Sequence, residues 1–248
     1  MVEKSYVILP VHNESKSIYN LLSNFSEFCR IYGQLFYEII IVNDNSQDDS
    51  EDYIFKAVND FKNLNINYHK HNENKGLPGS LLTGFSLLKD MNDNSLIITM
   101  DGDNTHNPFL VSEMINKIHQ GADIVIASRY CEQSRIYGLS EFRIFLSNCA
   151  KFLYRLFFNI NGVRDYTSNY RAYRGYLIKN LLKENTDGLS KRKSFTVTVK
   201  ILRKMLKYKP KIVEVPMILN YSNKLQVSNM KVFSTILQSL ALLISKND

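Results

Sequence analysis

Cysteine is scarce in this 248-residue chain, and its three copies, Cys29, Cys131 and Cys149, stand far apart with no Cys-x-x-Cys pair. That spacing excludes a disulfide framework and a cysteine zinc site, and it fits a reducing cytoplasm. Proline and glycine are few as well, at 5 and 10 residues, while 44% of the chain is hydrophobic. A disordered chain is thereby excluded, and one domain with a full core is the default expectation. Long apolar runs are missing too. The N-terminal run stops at Pro10 without the apolar region and cleavage site of a signal peptide. The late stretch at residues 233–244 is interrupted by Ser, Thr and Gln, short of the roughly 20 apolar residues that span a bilayer. The expectation is a cytoplasmic protein that does not cross a membrane.

Several nucleotide and hydrolase signatures are also absent. Residues Asn74-Lys75-Gly76-Leu77-Pro78-Gly79-Ser80 look suited to phosphate, but Gly84-Phe85-Ser86 stands where a Walker loop needs Gly-Lys-Ser/Thr. The dinucleotide glycine fingerprint, His-Glu-x-x-His and Gly-x-Ser-x-Gly do not occur, so kinase, dehydrogenase, metalloprotease and lipase chemistries drop out. Acidic residues vanish between Leu189 and Val213, where nine Lys or Arg carry much of the net charge of +7. Such a segment suits an anionic neighbour, whether phospholipid, phosphorylated substrate or nucleic acid, or else forms a solvated helix face of Lys200, Arg203, Lys204 and Lys207.

What the chain does contain is a βαβ rhythm. Apolar, β-branched runs at residues 6–9, 38–42, 66–69, 96–100 and 123–127 alternate with helical segments, two of them opened by Pro78 and Pro108. An α/β fold follows, with a mostly parallel central sheet flanked by helices. After Ser128 the pattern changes to a long apolar helix at 142–160, a short strand at 171–174, a basic helix at 195–206 and a strand at 212–219. A final amphipathic helix occupies 233–248. No linker separates these parts, so residues 1–232 read as one domain, with a nucleotide-side half to residue 128 and an acceptor-side elaboration over 129–232.

Ligands of open parallel sheets bind beyond the carboxyl ends of the strands. The residues there are polar: Pro10-Val11-His12-Asn13-Glu14, Asn43-Asp44-Asn45-Ser46-Gln47-Asp48 and Asp101-Gly102-Asp103-Asn104-Thr105-His106. Taken singly, Asn13 and Ser46 can be helix caps and Asp44-Asn45-Ser46 a turn. Asp101 and Asp103 are two apart at a strand end, so both carboxylates can face one hard cation. Mg²⁺ or Mn²⁺ takes one or two carboxylates together with phosphate oxygens, which suits a nucleotide diphosphate. A calcium EF-hand loop fails on spacing, because His106 and Ser112 stand where it needs Gly and Glu.

In order along the chain, these motifs resemble glycosyltransferase family 2, whose fold is termed GT-A, and within it dolichol-phosphate mannose synthase and polyprenyl-phosphate sugar transferases. Pro10 to Glu14 is similar to the family's Pro-x-Tyr-Asn-Glu, residues 42–48 to Val-Asp-Asp-x-Ser-x-Asp, residues 74–84 to Asn-x-Gly-x-x-x-Ala-x-x-x-Gly, and residues 101–108 to Asp-Ala-Asp-Leu-Gln-His-x-Pro. Residues 127–130 resemble Gly-Ser-Arg-Tyr, and residues 165–171 resemble Asp-x-x-Ser-Gly-Phe-Arg. The resemblance implies that Pro10, Asn13, Glu14, Asp44, Ser46, Lys75, Gly76 and Asp101 bind the nucleotide sugar, and that Asp101, Asp103 and Thr105 hold Mg²⁺ or Mn²⁺. It further implies that Arg129, Arg143, Ser147, Arg171 and Lys224 meet an acceptor phosphate, with Asp103, Arg129, Arg143 and Ser147 central to catalysis. Asn43, Thr105, Asn169, Thr198 and Asn223 depart from the family pattern.

The implied activity is inverting transfer of a sugar from a GDP-mannose or UDP-glucose type donor to polyprenyl or dolichyl phosphate. A saccharide hydroxyl in cell-surface polysaccharide or glycolipid assembly is an alternative acceptor, and silent nucleotide-sugar binding is an alternative function. A phosphate acceptor is already an anionic nucleophile, so it calls for cations where a hydroxyl calls for a general base, and the planar fork of arginine suits that task. Lipid delivery implies peripheral contact with the cytoplasmic face of a membrane, for which the 142–160 helix and the last helix carry apolar stripes. The earlier helix also reads as a core helix over the sheet. Nucleic acid is not an expected partner, and a homo-oligomer or a membrane-anchoring partner is left open.

Overall fold

The computed structural model describes residues 4–33, 38–184, 186–190 and 196–223. The first half alternates β1 (Ser5–Val11), α1 (Ser15–Tyr32), β2 (Glu38–Asn43), α2 (Ser50–Asp60), β3 (Ile66–Lys70), α3 (Gly76–Leu87), β4 (Leu96–Thr99), α4 (Val111–His119) and β5 (Ile124–Ser128). The second half contributes β6 (Arg135–Tyr137), α5 (Glu141–Phe158), β7 (Arg171–Arg174), α6 (Gly175–Lys183), α7 (Asp187–Ser190), α8 (Val197–Met205), β8 (Ile212–Pro216) and β9 (Ile218–Asn220). The expected helix at 233–248 and Lys224 lie outside the described residues.

Seven strands form one sheet in the order β3-β2-β1-β4-β7-β5-β8. Every pairing is parallel except those of β7, which runs antiparallel between β4 and β5. Consequently β1, β2, β4 and β5 end at one edge, and β7 begins there. Strand residues alternate between the two faces, as the pleat requires. Val7, Leu9 and Val11 pack under α1, α2 and α4, while Tyr6 and Ile8 pack under α3, α6 and α8. Both faces are covered, which is why the parallel strands read as near-continuous apolar runs. The approach of α3 is close: a Cβ on Gly84 would lie 2.5 Å from Ile8 Cγ2.

One expected strand is two. Residues 212–219 divide into β8 in the main sheet and β9, which pairs with β6 in a separate two-stranded sheet. The crossover falls after Pro216, which has no N–H to continue a ladder. Met217 there donates its N–H to the Ser128 carbonyl and accepts from the Arg135 N–H.

Candidate active site

Three turns at the carboxyl edge share one device. Asn13, Asn45 and Asn104 adopt φ of 57°, 55° and 60°, a left-handed region that asparagine enters more readily than other residues with a side chain. The chain can therefore reverse sharply at the ends of β1, β2 and β4 and keep polar side chains at the rim.

The first two turns are laced together. Asn13 N–H donates to Ser46 Oγ at 3.0 Å, Gln47 N–H donates to Asn13 Oδ1 at 2.8 Å, and Glu14 N–H donates to Ser50 Oγ at 2.8 Å. Asp48 joins the starts of α1 and α2, accepting from the hydroxyls and backbone N–H groups of Ser15 and Ser50. Burial pushes the Asp48 carboxyl up, but those donors outweigh it and hold its pKa at about 2.

Asp44 is buried at 3% exposure. Its Oδ1 accepts from Lys75 N–H at 2.7 Å and contacts His71 Nδ1 at 2.7 Å, and its Oδ2 accepts from Gly76 N–H at 2.7 Å. A carboxylate from β2 thus caps α3, whose own Lys75 supplies no side-chain cap, where the helix dipole favours negative charge. Gly76, at φ 70°, aims its amide at that carboxylate. His71 in turn meets Thr83 Oγ1 on α3 at 2.9 Å. Asn43 is buried, accepts from Ser46 N–H and donates to Tyr68 Oη, which donates to Glu51. An aspartate at position 43 could not make that donation while Tyr68 keeps its bond to Glu51.

The β4 turn seats directly on the β1 turn. A Cβ on Gly102 would lie 2.9 Å from both the Pro10 carbonyl oxygen and Val11 Cγ2, so glycine permits the approach. Asp101 Oδ1 accepts from Asn169 Nδ2 at 2.9 Å, and Oδ2 carries no bond to the described residues. Asp103 Oδ1 accepts from Thr105 Oγ1 at 2.7 Å and from its N–H at 3.1 Å. Among the described residues no group of three or more His, Cys, Asp or Glu converges to hold a metal. Two carboxylates at one strand exit fit a hard divalent ion that completes its shell with phosphate oxygens and water.

Beyond β5, Arg129 forms a two-pronged pair with Asp165: Nε to Oδ2 at 2.8 Å and Nη2 to Oδ1 at 2.6 Å, with Nη2 also donating to Thr167. Asp165 is fully buried and the Arg129 side chain is 17% exposed. Burial disfavours charge on both, but the opposite partner prevails, raising the Arg129 pKa and lowering that of Asp165. Arg129 retains Nη1, which has no partner among the described residues. Tyr130 reaches α5, its hydroxyl meeting Ser147 Oγ at 2.5 Å, with Lys151 Nζ 4.4 Å from its ring centre. Arg143, one turn before Ser147, has no ion-pair partner among the described residues.

A sequence profile described as glycosyl transferase family 2 matches residues 6–182. The chain belongs to glycosyl transferase family 2. Among named relatives, the undecaprenyl-phosphate 4-deoxy-4-formamido-L-arabinose transferase of Klebsiella pneumoniae (strain 342) is 30% identical over 183 residues, spanning 73% of this chain and 52% of that protein. The same-named protein of Photorhabdus laumondii is 27% identical over 188 residues. The chain spans about half the length of the curated relatives it matches. Among solved structures, glucosyl-3-phosphoglycerate synthase from Mycobacterium tuberculosis, in complex with Mn²⁺, UDP and glucosyl-3-phosphoglycerate, superposes with a TM-score of 0.65 at 14% identity. That match covers 99% of this chain and 81% of the other. A mannosyltransferase from Pyrobaculum calidifontis in complex with GDP-mannose and Mn²⁺ gives 0.64 at 14% identity, covering 100% and 66%. At that identity the likeness establishes the GT-A fold and nothing further.

On this family 2 framework the structure brings Pro10, Asn13, Glu14, Ser46, Asp101, Asp103 and Arg129 to the same sheet edge, with Arg143 and Ser147 on α5 tied to it through Tyr130. It corrects four expectations. Arg171 is fully buried, and its Nη1 and Nη2 donate to the carbonyls of Thr198 and Tyr166, so it cannot reach an acceptor. Asp44 and the Gly76 amide, both expected at the nucleotide, are bonded to one another, which gives Asp44 a structural role at the start of α3. Thr105 is 4% exposed and spends its hydroxyl proton on Asp103, which makes it a support for that carboxylate. Finally, α5 is no core helix, because Tyr154 is its one buried residue. His71 was missed altogether, although it stands just past β3 at the same edge. Inspecting the exit of the third strand, as of the first, second and fourth, finds it.

Proposed function

We propose that this chain moves a glycosyl group, with inversion, from a nucleotide sugar to a polyprenyl phosphate. The observation that carries the reading is the pairing of two rims on one sheet edge: carboxylates Asp101 and Asp103 after β4, and cations Arg129 and Arg143 after β5 and on α5. Glu14, Asn13 and Ser46 line the end where the nucleotide of a donor would lie. A divalent ion held by Asp101 and Asp103 would neutralise the departing diphosphate. Arg129 Nη1 and Arg143 hold the acceptor phosphate, and Ser147 adds a hydroxyl. In the reaction a phosphate oxygen of the acceptor forms a bond to the anomeric carbon. The bond from that carbon to the diphosphate breaks, and its electron pair leaves with the nucleoside diphosphate.

The state of the neighbouring carboxylates favours phosphate over a hydroxyl acceptor. Asp165 is consumed by Arg129, and Glu214 accepts from the N–H groups of Arg164 and Asp165. Neither stands free to take a proton from a hydroxyl.

Membrane contact belongs to the same proposal. Phe142, Phe145, Phe152 and Leu156 are 61–67% exposed and, with Cys149, follow one another at three- and four-residue steps along α5. Arg143, Lys151 and Arg155 share the helix, the pattern of a segment lying at an anionic lipid surface. No helix among the described residues is long and apolar enough to cross a membrane.

The test is transfer from radiolabelled nucleotide sugars to a short polyprenyl phosphate. A product that extracts into organic solvent and is labile to mild acid supports the reading. Label found only in an aqueous glycan, with none in the organic phase, overturns it. Arg143→Ala is expected to slow lipid transfer about 100-fold, the scale of losing one positioned charge stabiliser.

A further inference from the structure

Asn169 stands where the resembling family segment carries glycine, and the structure gives that difference a use. Residue 169 grips the exit of β4 twice. Its carbonyl accepts from Thr99 Oγ1 at 2.6 Å, and its side-chain Nδ2 donates to Asp101 Oδ1 at 2.9 Å. A glycine could make only the first of these bonds. The side chain is buried, at 5% exposure for the residue, so the amide and the carboxylate meet with little competition from water.

The amide is also presented from a fixed loop. Asp165 Oδ1 accepts from the N–H groups of Thr167 and Ser168 at 3.3 and 3.0 Å, while the same carboxylate clasps Arg129. One five-residue turn, 165–169, therefore holds a candidate acceptor cation at one end and a candidate metal carboxylate at the other. The chemistry of the donor matters as well. A neutral amide fixes the rotation of the Asp101 carboxylate and leaves Oδ2 open, and it brings no positive charge to compete with a cation, as Lys or Arg would.

We propose that Asn169 is a positioning residue that orients Asp101 toward a divalent ion and its bound diphosphate, and ties that orientation to the Arg129 loop. The inference rests on the reading of Asp101 and Asp103 as the metal end of the site. It does not require that the acceptor be a lipid.

The experiment measures Mn²⁺ binding, by electron paramagnetic resonance of free Mn²⁺ in the presence of a nucleoside diphosphate, for wild type, Asn169→Ala, Asn169→Gly and Asp101→Ala. Both Asn169 variants keep the backbone carbonyl that Thr99 uses, and glycine is the residue that the resembling family segment carries there. The expected result is Mn²⁺ affinity 10- to 100-fold weaker in both Asn169 variants, the range seen when a partner of a metal ligand is removed. Affinity for the nucleotide in chelator stays within twofold of wild type, and the donor KM rises more than kcat falls. Asn169 variants with wild-type Mn²⁺ affinity, beside an Asp101→Ala that has lost it, overturn the positioning role and leave the metal reading intact. Wild-type affinity in Asp101→Ala as well overturns both.

Discussion

Helices α1 and α5 are each 18 residues long and both are amphipathic, yet they do opposite things. In α1 seven residues are buried, among them Ile18, Leu21, Leu22, Phe25 and Phe28. In α5 one is buried, Tyr154, and four phenylalanines and a leucine stand more than half exposed. Periodicity identifies an apolar face; it does not say whether protein or something else covers it. Helix α1 follows a strand in the sheet and returns over it, whereas α5 leaves through β6 and is tied to the body by Tyr130 and by the stacking of Tyr154 with Tyr166. The N-terminal half buries the apolar face of its helix against the sheet, whereas α5 leaves apolar surface exposed on a helix that also carries Arg143 and Arg155.

That contrast can be broken by substitution. Phe25→Ala in α1 should cost about 3–5 kcal/mol through lost burial and the cavity left behind, read by denaturant unfolding. Asp165→Ala should cost about 2–4 kcal/mol, because it leaves the partly buried Arg129 guanidinium without its counter-charge. A smaller loss would mean that water reaches that pair. Asp44→Asn should cost about 1–3 kcal/mol, since one of the two amides at the start of α3 then faces an NH₂ group.

The Asp48 contribution is pH-dependent with a defined sign. Its pKa is lowered from 3.8 to about 2 in the folded protein, so its stabilisation is complete above about pH 4 and fades as pH falls toward 2. Asp48→Asn should cost roughly 2 kcal/mol at neutral pH and almost nothing near pH 2, so its unfolding curves should converge with wild type in acid. Smallest of all, Phe152→Ser in α5 should change stability by no more than about 0.5 kcal/mol, while it weakens sedimentation with anionic liposomes. If Phe152→Ser destabilises as much as Phe25→Ala, α5 is a core helix after all.

Much of the nucleotide-side fold was legible in the sequence because parallel strands buried on both faces must be apolar throughout, and their exits must be polar. The edge placement of Asp101 and Asp103 followed from that rule once the strands were counted, whereas Arg129 came from the resemblance to the family. What could not be read was how those side chains are spent. Asp44 looked available but caps α3 from a neighbouring strand, a tertiary contact that no local pattern encodes. Arg171 looked like an acceptor cation but is the buried first residue of β7, because a four-residue strand does not announce which face is inward. Departures from the family pattern were more informative than they first looked: Asn43 answers Tyr68, and Asn169 answers Asp101.

The central claim is that a divalent ion at Asp101 and Asp103 clasps the diphosphate of the donor. The direct measurement is the rise in thermal midpoint given by nucleoside-diphosphate sugars with and without Mn²⁺, in wild type and in Asp103→Ala. A Mn²⁺-dependent rise in wild type that disappears in Asp103→Ala, with the metal-free response unchanged, is the expected result. An equal Mn²⁺-dependent rise in both proteins would contradict it.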